Sequence, residues 1–122
     1  MRLITHNMLK CPAKDVINGY PLKIEISQFE VKESEINEEF IIHLLTTLDW
    51  NGVLLSAEAV GLNGLPTQLN EDIIKDFRFL NAIHHLLFDI HIIDGKLICP
   101  ESGRIFYIRD GLLNLTLPED QV

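Results

Sequence analysis

The sequence is poor in cysteine and in basic residues. It has two cysteines, and its 10 Lys and Arg residues stand against 18 Asp and Glu residues. Two cysteines cannot build a disulfide framework, so the chain suits a reducing compartment. The net charge of −8 argues against direct binding of phosphate backbones, because that affinity depends largely on Lys and Arg. We therefore expect no nucleic-acid binding by the chain alone.

Long hydrophobic runs are also missing. No apolar stretch approaches the roughly 20 residues that a bilayer span needs, and no leader-type apolar run follows the first residues. We expect an intracellular protein without a membrane partner. Phosphate loops, Gly-x-Ser-x-Gly elbows and dinucleotide fingerprints are absent from the sequence as well, so no enzyme class is indicated.

Apolar residues are plentiful, and they recur with helical spacing in the middle of the chain. Hydrophobic residues make up 47% of the 122 positions, which excludes a disordered chain and suits one small domain. The spacing predicts helices over residues 38–48, 50–60 and 70–88, the last being the longest. The expected N-caps are Asn37, Asp49 and Asn70, and Gly61 is expected to end the second helix.

Alternating residues predict strands on both sides of these helices. Residues 21–26 and 29–32 alternate apolar and charged side chains, which is typical of two half-buried strands. An Asp-Gly step at 94–95 lies between apolar runs and predicts a tight hairpin, and a second Asp-Gly step follows at 110–111. Near the start, Thr5 is expected to cap a short helical turn that carries Met8 and Leu9 inward.

Each cysteine begins a turn. A Cys-Pro turn at Cys99, followed by strand-type sequence, is how one half of a zinc ribbon is built, and the turn at Cys11 is the candidate for the other half. A structural zinc site needs four ligands. No second cysteine follows Cys11 as far as Val16, and Ser102 stands at the natural partner position after Cys99. We expect no bound zinc, with the two thiols lying near each other as small buried groups.

Histidines and a carboxylate near position 85 raise the possibility of a catalytic metal. His84, His85, Asp89 and His91 lie close together in the sequence. Adjacent residues on a helix point about 100° apart, so His84 and His85 do not easily face one ion. His84 also falls on the apolar stripe, which favours a hydrogen-bonded core position. A small metal-dependent hydrolase is therefore kept only as an alternative hypothesis.

The last apolar segment is a candidate for binding another protein. Leu113, Leu115 and Leu117 face one way, and Asn114 and Thr116 face the other. A terminal strand with a free edge can pair with a strand of a partner while alternate side chains fill pockets. Alternatively, this strand closes the chain's own sheet. The excess of Ile and Leu favours the first hypothesis, because a small chain cannot easily bury all of them.

Several motifs together resemble a known family. They are Thr5-His6-Asn7-Met8-Leu9, Asp49-Trp50, His84-His85-Leu86-Leu87, and Cys99-Pro100-Glu101-Ser102-Gly103-Arg104-Ile105-Phe106 continuing through Gly111 to Asn114 and Leu117. The chain is similar to the eukaryotic multifunctional methyltransferase subunit, the small activator of tRNA, rRNA and release-factor methyltransferases. The resemblance implies an α+β fold: a small zinc-ribbon-like antiparallel sheet module formed by both termini, residues 1–34 and 89–122, with an inserted helical region of about three helices at 35–88.

The resemblance also implies a function. Such subunits do not catalyse; they bind S-adenosylmethionine-dependent methyltransferases as heterodimers, extend the partner's sheet and cover an apolar patch. The partner binds S-adenosylmethionine and modifies tRNA guanosine and wobble uridine, a guanosine of small-subunit rRNA, or the glutamine of a termination factor. The chain itself would need no cofactor and would be cytoplasmic and nuclear. A stand-alone ribbon-type RNA-binding module is the alternative.

Two departures from the family pattern matter. Some members keep four zinc cysteines where this chain has Cys11 and Cys99. Gly111-Leu112-Leu113-Asn114 stands where the family commonly has Gly-Ile-Pro-Asn, and Leu113 restores a backbone donor that proline lacks. We expect residues 112–117 to pair with a strand of the partner. The expected partner contacts are Met1, Thr5, His6, Asn7, Phe106, Ile108, Leu112, Leu113, Asn114, Leu115, Thr116 and Leu117.

Overall fold

The structure, a computed structural model, describes residues 1–14 and 16–115. Within them, an antiparallel four-stranded sheet packs with four α-helices. The helices are α1 (Leu3–Met8), α2 (Glu38–Leu45), α3 (Trp50–Ala59) and α4 (Phe77–His84). The strands are β1 (Lys23–Val31), β2 (Ile90–Ile98), β3 (Ile105–Arg109) and β4 (Leu112–Leu113), in the order β1-β2-β3-β4. The predicted α+β class, with about three helices between the strands, is confirmed. The zinc-ribbon-like character and the division into two regions stay predictions.

Side-chain caps set the starts of α2 and α3. The side-chain oxygen of Asn37 accepts the backbone N–H of Phe40 at 3.1 Å, and a carboxylate oxygen of Asp49 accepts that of Gly52 at 2.8 Å. Each cap satisfies a donor that the first helical turn leaves without an intrahelical partner. Gly61 follows the end of α3 with a φ of 78°, a conformation that favours glycine. Both predicted caps and the predicted stop are confirmed.

The single helix predicted over 70–88 is wrong. Asn70 caps only a 3₁₀ turn, Ile73–Lys75. The backbone then becomes extended at Asp76, with φ −77° and ψ 118°, and the Asp76 carboxylate accepts a backbone N–H of the next turn at 2.9 Å. This cap starts α4, which passes directly into a π-helical turn, His85–Asp89. A second capping residue inside the apolar pattern therefore divides the segment.

β1 is one strand and not the two that were predicted. Its register against β2 shifts around Gln28, so a bulge interrupts the alternation without ending the strand. The hairpin predicted at Asp94 and Gly95 is wrong, because β2 runs straight through both residues. A Cβ atom on Gly95 would collide with the carbonyl oxygen of Glu25. Glycine at this position thus serves a close approach of two backbones.

The second Asp-Gly step does form a turn. Asp110 and Gly111 join β3 to β4, with φ values of 51° and 78°. Two consecutive positive φ values are the signature of a type I′ hairpin turn, whose twist matches that of the flanking strands. This turn fixes the position of β4 against β3.

Helix α1 differs from the expectation at its start. Arg2 occupies the N-cap position, so Thr5 lies within the helix and does not cap it. Leu3 is fully buried, whereas Met8 points into solvent. The prediction that Met8 turns inward was therefore wrong, and Leu3 is the residue that anchors α1 to the core.

The core lies between the helices and one face of the sheet. Helix α3 packs on β1, and α1 packs against α3 and the π-helical turn. Burying a large apolar side chain contributes about 1.5–3 kcal/mol. The fully buried apolar side chains include Leu3, Leu22, Ile41, Val53, Leu80, Ile83, Leu86, Leu87, Ile92, Leu97 and Ile108.

Trp50 connects α3 to the loop that follows it. Its indole N–H donates to the carbonyl oxygen of Pro66 at 2.9 Å. Its ring centroid lies 5.9 Å from that of Phe79 on α4, at an angle of 48°. The side chain therefore joins α3, α4 and the loop after α3 in one packed unit.

No single helix in the described part of the chain is long and apolar enough to cross a membrane. Helices α2 and α3 reach the necessary length and composition only as a pair, and the pair is bent by 116°. Their buried residues include Ile41, Leu44 and Val53, which pack in the protein core.

Candidate functional site

The outer edge of β4 is the first element of the site. Arg109 and Leu112 face each other across the two-residue turn, and the N–H of Asn114 donates to the carbonyl oxygen of Tyr107 at 3.1 Å. In an antiparallel ladder with this register, the N–H and C=O of Leu113 point away from β3. Among residues 1–14 and 16–115, no other strand pairs with this edge. The edge can therefore accept a further strand.

An apolar patch lies on the outward sheet face beside that edge. Its members are Ile105, Tyr107 and Leu112, which are 41%, 47% and 75% exposed. We call these three residues the edge patch. Beside them runs a groove of about 510 Å³ along β3 and β4. Farther across the same face, the ammonium of Lys96 lies 3.1 Å from a carboxylate oxygen of Glu25. Next to β3 and β4 this face is therefore apolar, and farther across, at Lys96 and Glu25, it is charged.

Two of the expected partner contacts lie on the wrong face of β3. Phe106 and Ile108 are 2% and 1% exposed, because they pack into the protein's own core. A partner cannot reach them without opening that core. The outward-facing residues of β3 are Ile105 and Tyr107, which were not among the expected contacts.

The N-terminus lies beside the turn that leads into β4. The amino group of Met1 donates to the carbonyl oxygen of Gly111 at 2.9 Å and to that of Ile92 at 2.8 Å. Thr5 is exposed on α1. Five further expected contacts lie at the end of β4 or beyond it. Leu113 and Leu115 are half-buried and Asn114 is exposed, while Thr116 and Leu117 lie outside the described residues.

His6, another of the expected partner contacts, is fully buried within this chain. Its Nε2–H donates to the carbonyl oxygen of Leu22 at 2.6 Å, and the Ser56 hydroxyl donates to its Nδ1 at 2.9 Å. The Leu22 carbonyl can only accept, so Nε2 carries a proton, and in the neutral ring the Ser56 hydroxyl donates to Nδ1. Burial lowers the pKa of His6, and the bond to Leu22 opposes this effect only partly. His6 joins α1 to α3 and to the start of β1.

Asn7 is also turned inward. Its side chain donates to the carbonyl oxygen of Asp49 at 2.8 Å and accepts the N–H of Asp49 at 3.1 Å. The Tyr20 hydroxyl donates to the carbonyl oxygen of Asn7 at 2.6 Å. Burial and the nearby charge of Asp49 raise the pKa of Tyr20 to about 12. The His-Asn pair thus holds the helices together, and the partners of the two side chains could not be identified from their motif.

The buried His6 predicts that stability falls in mild acid. Its pKa is lowered in the folded protein, so the unfolded chain takes up the proton more readily. The contribution of His6 to the free energy of unfolding is therefore complete above a pH of about 6.5. It is lost as the pH falls below that value, by up to about 1.4 kcal/mol per pH unit. Burial, Lys32 and Arg2 lower the pKa of His91, which adds a loss of the same sign.

Denaturant unfolding at pH 7.5 and pH 5.5 measures this loss. The exposed His43 supplies the control, because His43→Gln should keep the same difference between the two pH values. Equal stability at both pH values would contradict the prediction.

Asp89 contacts the polar residues on which the hydrolase hypothesis was based. Its Oδ1 accepts the Ser34 hydroxyl at 2.6 Å and lies 3.3 Å from Nε2 of His84. Its Oδ2 lies 3.1 Å from Nδ1 of His85. Burial alone would raise the pKa of Asp89, but bonds from Ser34 and His85 outweigh it and lower that pKa. The π-helical turn lets the two adjacent histidines reach one carboxylate, which the helical angle had argued against.

This cluster is built to join segments and not to activate a nucleophile. The Ser34 hydroxyl donates directly to Asp89, whereas in a Ser-His-Asp triad the imidazole would accept that proton and the carboxylate would orient the imidazole. The backbone N–H of Lys32 donates to the carbonyl oxygen of Asp89 at 2.8 Å. Among the described residues, no group of three or more His, Cys, Asp or Glu side chains could hold a metal ion. His84 is a buried, hydrogen-bonded residue, as predicted.

Cys11 and Cys99 are buried and adjacent, as predicted, with the Cys11 thiol hydrogen-bonded to the Cys99 sulfur. Ser102 occupies the position where a second cysteine would follow Cys99, and its backbone N–H donates to the Cys99 sulfur at 3.3 Å. The turn after Cys11 places Val16 nearby: a Cβ on Gly19 would lie 2.8 Å from both Cβ of Cys11 and Cγ1 of Val16. Two thiols, a hydroxyl and an alkyl group do not fit the four-ligand set of structural zinc.

Comparison with known proteins identifies a family and several relatives. The model of the family described as Trm112p-like protein matches residues 2–111. Multifunctional methyltransferase subunit TRM112 homolog A of Arabidopsis thaliana is 40% identical, with 100% of both chains covered. Multifunctional methyltransferase subunit TRM112 of Saccharomyces cerevisiae is 34% identical, with 97% of both covered.

A solved structure shares the fold. It is that of the E. cuniculi Mtq2-Trm112 complex, which is responsible for methylation of the translation termination factor eRF1. One chain of it matches with a TM-score of 0.61 at 19% identity, and 95% of both chains is covered. By sequence and by fold, this chain belongs to the Trm112p-like family.

Proposed function

We propose that this chain is a non-catalytic subunit that binds S-adenosylmethionine-dependent methyltransferases as a heterodimer and stabilises them. The observation that carries the proposal is the outward edge of β4 beside the edge patch. The names of the relatives, which are methyltransferase subunits, support it. The partner would bind the methyl donor, and this chain would contribute only a surface.

The geometry favours binding by strand addition. A strand of the methyltransferase would bond to the outward N–H and C=O of Leu113, and its side chains would cover the edge patch. Each apolar side chain so buried contributes about 1.5–3 kcal/mol before the entropic costs of association are subtracted. Backbone pairing would give affinity with little dependence on sequence, so one edge could serve several enzymes.

Activation would follow from mass action. A subunit that binds only the folded enzyme stabilises it by about 2.7 kcal/mol when present at 100 times its Kd. Methyltransferases that act on tRNA, small-subunit rRNA and a termination factor are the proposed partners, in the cytoplasm and the nucleus. The eRF1-methylating complex of the solved structure is one precedent for such a pair.

Co-expression tests the proposal. A termination-factor methyltransferase from the same organism should be largely insoluble when expressed alone. With this chain, its soluble yield and its methylation of the factor should rise at least about 10-fold, because about 1.4 kcal/mol of stabilisation already gives that factor.

The methyl transfer should depend on the partner's active site and not on this chain. A variant of this chain with Asp89→Asn, in the most enzyme-like cluster, should support full activity as long as it is folded. Equal solubility and activity of the methyltransferase with and without this chain would reject the proposal.

A further inference from the structure

We propose that Cys11 and Cys99 are an oxidation site, at which a peroxide joins the two thiols in an intramolecular disulfide. The bond would connect the turn after α1 to the turn between β2 and β3. It would take the place that four-ligand zinc has in a ribbon built with four cysteines.

The two thiols lie within hydrogen-bond reach of each other. The Cys11 thiol donates to the Cys99 sulfur, and both residues are buried within the same small region. No third thiol competes, because these are the only cysteines of the chain. A disulfide forms readily only where the Cα and Cβ atoms are already close, and two side chains in hydrogen-bond contact come near to meeting this condition.

Other bonds hold the two turns together. The Glu101 carboxylate accepts the backbone N–H of Ile17 at 3.0 Å and that of Asn18 at 3.2 Å. Within each turn, the N–H of Cys11 donates to Gly19 and the N–H of Cys99 donates to Arg104, both at 2.9 Å. The thiols are thus positioned by backbone and carboxylate contacts that do not involve sulfur. Closing the bond requires little movement of either turn.

Cys99 is the better nucleophile of the pair. Its burial raises the pKa of the thiol, but hydrogen bonds from Ser102 and Glu101 outweigh this effect and lower it. Burial raises the pKa of Cys11. The thiolate therefore forms more readily at Cys99, and Cys11 is placed to resolve the product.

The chemistry balances with hydrogen peroxide. The Cys99 thiolate attacks one peroxide oxygen, the O–O bond breaks, and the oxygen that leaves takes up a proton as water; Cys99 becomes a sulfenic acid. The Cys11 sulfur then attacks the Cys99 sulfur, the S–O bond breaks, and a second water leaves with the Cys11 proton. Two thiols lose two electrons in total, and one peroxide is reduced to two waters.

The test uses the full chain, purified in reductant and then exposed to sub-millimolar hydrogen peroxide. Its intact mass should fall by two hydrogens, and its maleimide-reactive thiols after denaturation should fall from two to none. A cross-link that closes most of the chain should raise the Tm by about 10–20 °C. Dithiothreitol should reverse all three changes.

Two variants sharpen the result. Cys11→Ser keeps Cys99 but lacks the resolving thiol, so peroxide should add oxygen to it without raising its Tm. Ser102→Ala keeps both thiols and should still reach the disulfide, but several-fold more slowly, because the hydrogen bond from the Ser102 hydroxyl to the Cys99 sulfur is lost while that from the backbone N–H remains.

Three outcomes would overturn the proposal. They are oxygen addition to the wild-type chain without loss of two hydrogens, disulfide-linked dimers as the main product, and one zinc ion per chain in native mass spectrometry of protein purified without chelator. The wild-type measurements decide the matter even where a variant fails to fold.

Discussion

The double substitution Ile105→Glu and Leu112→Glu is expected to abolish methyltransferase binding. Both side chains belong to the edge patch. Docking would take two carboxylates out of water at a cost of several kcal/mol, offset only in part by Arg109 opposite position 112, and would forfeit about 1.5–3 kcal/mol per lost apolar side chain. The affinity should fall at least about 100-fold. Co-purification with a co-expressed methyltransferase, followed by calorimetric titration of the purified pair, measures the loss.

The opposite edge of the sheet provides a matched control. Phe29 and Val31 on β1 are 41% and 48% exposed, which is close to the exposure of the β3 residues in the edge patch. The pair Phe29→Glu and Val31→Glu adds the same charge to another edge strand of the same sheet. Binding should change less than about 2-fold, since surface substitutions away from an interface have effects near 0.5 kcal/mol. A comparable loss in both pairs would reject β4 as the docking edge.

The largest loss of stability is expected from His6→Leu. Leucine fills most of the space but leaves the Leu22 carbonyl and the Ser56 hydroxyl buried without their partner. An unsatisfied buried polar group costs about 1–3 kcal/mol, so two cost about 2–6 kcal/mol. A small domain has only about 5–15 kcal/mol in total. Urea unfolding followed by circular dichroism should show much of that stability gone.

A milder variant separates this effect from general damage to the core. Ser56→Ala removes one hydrogen-bond partner and should cost about 1 kcal/mol. His43→Leu, at an exposed position of α2, should leave the unfolding free energy within about 0.5 kcal/mol of the wild type. A stability loss from His6→Leu no greater than that from Ser56→Ala would contradict the hydrogen-bond account.

Features that depend on neighbouring residues were predictable from the sequence. Asn37 and Asp49 cap helices by accepting hydrogen bonds from residues three positions later, so both partners of each bond lie close together in the sequence. The positive φ values at Asp110 and Gly111 likewise belong to a local turn. The α+β class and the adjacency of the two thiols also followed from local patterns, read together with the family resemblance.

Features that depend on distant segments were not predictable. The Asp-Gly step at Gly95 resembles a turn, but this glycine allows the backbone of β1 to pass close by, and β1 lies far away in the sequence. On β3, the residues Ile105, Phe106, Tyr107 and Ile108 are all apolar or aromatic. Alternation alone therefore could not decide which pair faces inward. Asn7 pairs with Asp49, which lies 42 residues later, so its motif could not reveal its role.

The placement of Trp50 has a practical consequence. As the chain's sole tryptophan, it dominates intrinsic fluorescence, and its contacts with Pro66 and Phe79 make that emission a reporter on the helices alone. Tyr107 and Leu112 lie on the sheet, so a docked strand should leave the emission maximum unchanged. Unfolding of the helices would shift it to the red. Spectroscopy on an unlabelled sample can thus distinguish a variant that has lost its partner from one that has lost its fold.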